Sequence, residues 1–148
     1  MNQQTNIPIG FQNFIYEKKV KVDTSKVNAF WEKLNLRETF VDAQFFPFKV
    51  EFATGLKNGN FETGELNIHH GPLLSVHGLI GDISENYRDL NYFYGSYALS
   101  FRLVRPTRLE FFREEDGIRL KLHAFVKPWF IPLWRFGNNF FWNFFNVL

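Results

Sequence analysis

The sequence predicts an α+β domain in which a curved antiparallel sheet of about six or seven strands wraps around a long C-terminal helix. Two hydrophobic periods and one compositional excess carry that reading. Apolar residues alternate with polar ones over much of the chain from Phe48 to Val126, then recur at helical spacing from Pro128 to Leu148. The excess is aromatic: 20 Phe, 5 Tyr and 4 Trp in 148 residues, beside an ordinary apolar fraction of 45% and charged fraction of 22%. Each strand has one mainly apolar face, and a helix with a broad apolar arc is the natural cover for it. The length suits a single domain spanning residues 1–148.

Taken in order, Phe14 to Val22 alternates as a strand. Asp23-Thr24-Ser25 then signals a helix start, and Val27, Phe30, Trp31 and Leu34 recur at helical spacing behind it. Leu36 to Phe46 reads equally as a second short helix or a loop, and Pro47 ends either. Phe48, Val50 and Phe52 alternate into a strand, the GLKNG segment from Gly55 to Gly59 turns the chain, and Phe61 to Ile68 returns as the partner strand. His69-His70-Gly71-Pro72 interrupts the pattern, and Leu73 to Ile83 resumes it. Ser84 to Asn91 is polar and reads as a turn region, after which Tyr97, Leu99, Phe101 and Leu103 alternate. Arg105-Pro106-Thr107 predicts a corner and Leu109 with Phe111 a short strand. A tight turn at Glu114 to Gly117 follows, and then a strand with Ile118, Leu120, Leu122, Ala124 and Val126 on one face. In the final helix Leu133, Phe136, Gly137, Phe140, Phe141, Phe144, Phe145 and Leu148 form the expected inward arc, with Arg135, Asn139 and Asn146 outward.

Charge and cysteine content narrow the function classes. Seventeen basic and 15 acidic residues give a net charge of +2, too balanced to gather phosphates, so nucleic acid is not an expected partner. With no cysteine there is no disulfide, thiolate metal site or thiol nucleophile, and the polar opening MNQQTNIPIG lacks signal-peptide regions, so a cytoplasmic setting is expected. The aromatic terminal segment carries Pro132, Arg135 and four asparagines, which argues against a transmembrane span.

The order of elements, the helix containing Phe30-Trp31 after Asp23-Thr24-Ser25, and the run Thr107-Arg108-Leu109-Glu110-Phe111-Phe112 before Asp116-Gly117 resemble the START-like superfamily, also termed SRPBCC or Bet v 1-like. The resemblance covers nearly the whole chain and is one of pattern and order. It implies a helix-grip fold with a hydrophobic cavity between the sheet and the C-terminal helix, taking a lipid-like or polyketide-like ligand. A cyclase, dehydratase or hydrolase using the same cavity is the alternative it implies, and a filled-core interaction protein is another.

Motifs for chemistry are weak. His69-His70 with His77 invites a metal, but neighbours on a strand point to opposite faces, so no metal site is expected, and no cofactor. Ser75-Val76-His77 lacks a nucleophile elbow, and the glycine clusters belong to hairpins. His77 and Asp82 are the candidates for acid–base work. The expected ligand-lining residues are Trp31, Phe52, His77, Tyr92, Tyr94, Tyr97 and Phe101. Phe111, Leu120, Phe136, Phe140, Phe141 and Phe144 complete them. The expected partner is a small hydrophobic molecule, with a homodimer left open.

Overall fold

The computed structural model describes residues 6–42, 44, 46, 48–71, 74–96 and 102–144. Of Tyr94 and Phe144 it describes only the backbone, and Leu73, Tyr97, Leu99, Phe101, Phe145, Asn146 and Leu148 lie outside those residues. Strand β1 (Gln12–Lys21) leads through a 3₁₀ turn into α1 (Val27–Leu34) and then α2 (Arg37–Asp42). Strands β2 (Lys49–Phe52), β3 (Leu66–Gly71), β4 (Leu74–Ile83), β5 (Tyr87–Ser96), β6 (Val104–Glu114) and β7 (Gly117–Val126) follow. A 3₁₀ turn at Pro128–Phe130 then opens the terminal helix α3 (Ile131–Phe144). The seven strands form one antiparallel sheet in the order β1-β7-β6-β5-β4-β3-β2. The α+β helix-grip architecture expected from the sequence is present.

Local chemistry explains most boundaries. The Asp23 carboxylate accepts from the Ser25 backbone N–H at 3.2 Å, which starts the α1 region where the sequence placed it. The segment from Leu36 resolves into the short helix α2, held by a buried ion pair in which Arg37 Nε donates to Glu65 Oε1 at 2.8 Å. At the β6–β7 hairpin Gly117 has φ of +155° and lies so close to Val20 that a Cβ would fall 2.1 Å from its carbonyl oxygen. Register shifts at His77/Gly78, Ile80/Ile83 and Pro106/Arg108 bend the sheet. The expected corner at Arg105-Pro106-Thr107 is therefore a bulge inside one long strand, where a proline without an N–H is tolerated.

Three expectations need correction. The strand expected at Phe61 to Ile68 is displaced to Leu66–Gly71, so His69 and His70 lie inside the sheet rather than in a break. The polar stretch Ser84 to Asn91 contributes half of β5, because Arg88, Leu90 and Tyr92 alternate with outward polar residues that bond one another. The terminal helix is rotated away from its expected arc. Leu133, Phe136 and Phe140 are 58%, 70% and 48% exposed, whereas Trp134 and Trp142 pack on the core and Asn138 is buried. The reason lies on β1: the inward Tyr16 hydroxyl donates to Asn139 Oδ1 at 2.7 Å, and Lys18 Nζ donates to Asn143 Oδ1. The buried Tyr16 side chain needs a partner for its hydroxyl, and the asparagine edge of the helix supplies it. Asn139 and Arg135 stay exposed, as expected, while engaging β1 from the helix edge, with Arg135 5.4 Å from the Phe14 ring centre.

Candidate functional site

The inner face of the sheet and the inner face of α3 enclose the core. Tyr16 from β1, Ile80 from β4, Leu90 from β5, Leu109 and Phe111 from β6, and Ile118, Leu120 and Leu122 from β7 form one buried cluster with Phe30, Trp31 and Leu34 of α1. Trp142 reaches this cluster from the helix, its ring centre 6.0 Å from Phe111, and Phe141 meets Phe48 at 5.0 Å. Each fully buried ring contributes about 1.5–3 kcal/mol by transfer from water, while Phe93, Trp129, Phe136 and Phe140 stay exposed.

Within this apolar interior lies a polar group that the sequence reading did not single out. Arg88, 4% exposed, places its guanidinium carbon 4.3 Å from the ring centre of Phe111, 4.9 Å from Phe61 and 5.3 Å from Phe40. Cross-strand pairing of Arg88 with Phe111 fixes that stack. Its Nε and Nη2 have no hydrogen-bond partner among the described residues, nor do Asn67 Oδ1 and His69 Nε2 on β3. His69 stands edge-on to Tyr92, ring centres 5.8 Å apart. Burial draws the Arg88 guanidinium down to about 9, so it keeps its charge at neutral pH. Burial, with His70 and Arg88 nearby, lowers the His69 imidazole to about 4, leaving it neutral. Burial likewise pushes the Tyr92 hydroxyl above its ordinary value.

Arg88 is thus a buried positive charge against three aromatic rings. Ring stacking returns about 2 kcal/mol or more to a desolvated cation, while removing an ion from water costs several kcal/mol after relaxation. No carboxylate among the described residues pairs with it, and the remaining residues contain no Asp or Glu. The outer face of the same strand shows the opposite arrangement. There the Asp89 carboxylate, 3% exposed, accepts from Arg108 Nε at 2.8 Å and Nη2 at 2.5 Å, while the Tyr87 hydroxyl lies between Asp89 and Glu110. Glu110 also meets His123 at 2.6 Å. This outer network is saturated; the inner cation is not.

The expected lining residues divide accordingly. Trp31, Phe52, Phe111 and Leu120 are buried in the core, and Tyr92 and Phe141 are half-buried against it. Phe136 and Phe140 face outward on α3. His77 lies 6.4 Å from the outward Phe93 ring, and Asp82 is exposed, its backbone N–H donating to Asp89. The two acid–base candidates therefore do not meet in the interior. Tyr94 pairs with His77 through the backbone, and Tyr97 and Phe101 fall outside the described residues. Among the described residues, no group of three or more His, Asp or Glu is placed to hold a metal ion. Two open grooves, about 500 and 380 Å³, lie around α1, away from the Arg88 cage.

No protein-family model matches the chain, and no curated protein does. Solved structures do. Norcoclaurine synthase from Thalictrum flavum in complex with dopamine and hydroxybenzaldehyde superposes with a TM-score of 0.57 at 11% identity, over 90% of this chain and 81% of that one. A second structure of that synthase gives 0.56 at 13% identity, over 89% and 80%. Major latex-like protein 151 from Panax ginseng gives 0.52 at 12% identity, over 80% of each chain. The chain has the START-like, Bet v 1-like helix-grip fold. At these identities the likeness is one of fold.

Proposed function

We propose that the chain binds a small hydrophobic or aromatic molecule between the sheet and α3. The observation that carries this reading is an aromatic interior that holds a few polar groups, Arg88, His69, Tyr92 and Asn67, which is the composition of small-molecule sites. A neighbour in fold is described with two small aromatic molecules bound, which supports the same use of the fold. The absence of cysteine favours a reducing, cytoplasmic setting. The test is thermal unfolding of the full chain with a panel of lipids, sterols and polycyclic aromatics. A true ligand at one hundred times its dissociation constant stabilises by about 2.7 kcal/mol, a rise of about 5–10 °C in Tm. No shift across the panel overturns the proposal.

A second reading draws on the outward stripe of α3. Trp129, Leu133, Phe136 and Phe140 are exposed on one side of the Pro128–Phe144 segment, and its only ionisable side chain, Arg135, is stacked on Phe14. A membrane-surface helix would carry several Lys or Arg on its polar face. Two such stripes can instead oppose each other without like charges meeting. The partner this surface fits is a second copy of the chain.

A further inference from the structure

We propose that Arg88 anchors the head of a monocarboxylate ligand whose apolar body lies among the core aromatics, the carboxylate bridging Arg88 Nε and Nη2. This rests on the reading that the interior between sheet and helix takes a ligand, and it names that ligand's chemical class.

Geometry and charge both lead there. Nε and Nη2 are the two donors on one edge of the guanidinium plane, and it is these two atoms that lack a partner among the described residues. That edge presents paired N–H groups at the spacing of a carboxylate. In the same chain Arg108 directs its own Nε and Nη2 at one carboxylate oxygen, Oδ2 of Asp89. The ring centres of Phe40, Phe61 and Phe111 lie 5.3, 4.9 and 4.3 Å from the Arg88 guanidinium carbon, and a phenyl ring offers those N–H groups no oxygen acceptor. His69 is uncharged at neutral pH, which leaves one positive charge to neutralise. A carboxylate carries one negative charge and matches it, whereas a phosphate monoester would bring a surplus into a buried, apolar interior. His69 Nε2 and Asn67 Oδ1, on β3 and separated from β5 by β4, also lack partners among the described residues. Among the described residues no carboxylate pairs with Arg88.

The experiment is calorimetric titration of the full chain with two matched pairs, dodecanoic acid against 1-dodecanol and 2-naphthoic acid against 2-naphthalenemethanol, in wild type and in Arg88→Met. Methionine keeps much of the length and apolar contact while removing the charge. In wild type the acid of at least one pair should bind tenfold or more tighter than its alcohol, and Arg88→Met should erase or invert that preference. Equal binding of acid and alcohol by wild type overturns the anchor while leaving the hydrophobic pocket standing. A preference for acid that survives in Arg88→Met also overturns it. Binding of neither member of either pair by wild type removes pocket and anchor together. Should Arg88→Met fail to fold, carboxyl-labelled [¹³C]dodecanoic acid bound to wild type gives an independent readout by NMR. A carboxylate held by Arg88 should titrate at lower pH than the free acid; titration at or above the free value overturns the proposal.

Discussion

His69 shows how much one side chain can depend on its surroundings. In the sequence it belongs to a His-His-Gly-Pro break, yet in the fold it faces the interior beside Tyr92 with its imidazole lowered to about 4. An unfolded histidine takes up a proton below about pH 6.5. Between that pH and about 4 the unfolded chain binds a proton that the folded chain refuses, so stability falls as the solution is acidified through this window. The loss attributable to His69 is on the order of 3 kcal/mol, complete near pH 4. Urea unfolding at pH 7.5 and 4.5 should show a drop in wild type that is smaller by about 2 kcal/mol in His69→Leu; an unchanged drop would place the imidazole in water. Neither His69 nor Arg88 was legible as an inward group. A polar residue on a strand reveals its direction only through the register of its neighbours, and that register was misplaced by the apparent break at His69-His70 and the apparent turn at SENYRDLN.

At the scale of elements the terminal helix is the instructive case. Its existence was legible from the spacing of apolar residues after Pro128, and its face was not. Ile131, Trp134, Asn138, Phe141 and Trp142 form an arc as periodic as Leu133, Phe136 and Phe140, so periodicity alone could not choose between them. Contacts decide it: Trp134 and Trp142 pack on the sheet, and Tyr16 and Lys18 engage Asn139 and Asn143. Substitutions should reveal the rotation. At low protein concentration Phe136→Gln should change stability by no more than about 0.5 kcal/mol, whereas Trp134→Ala should cost about 3 kcal/mol. Gly137→Ala should gain about 0.5–1 kcal/mol, because a Cβ there meets nothing within 4 Å and alanine is the better helix former. Denaturant midpoints would measure all three, and the reverse order for Phe136 and Trp134 would restore the inward arc expected from the sequence. The β6–β7 hairpin was the most legible element, since Ile118 to Val126 alternates cleanly and its turn is acidic and ends in glycine.

For the whole molecule, the rotation of α3 places an apolar stripe on the outside, and association between copies is its proposed consequence. Light scattering across a concentration series should show a mass rising from 17.6 kDa toward twice that value, and Leu133→Lys with Phe136→Lys should hold it at one chain. A monomer at every concentration, or flotation with liposomes in place of self-association, would end that reading. The amino-acid sequence by itself determined the class of fold, because period-two strands with one apolar face and a terminal aromatic helix have few ways to bury those faces. It also determined that neither a strong electrostatic field nor thiol chemistry is available. Tertiary structure alone decided which face of α3 turns inward, and it alone brought Arg88 of β5 under Phe40, Phe61 and Phe111 and buried His69 of β3 against Tyr92. The physical reason is that these are long-range choices. They depend on which buried polar groups find partners across the sheet, a condition met or missed only when strands distant in sequence come into register.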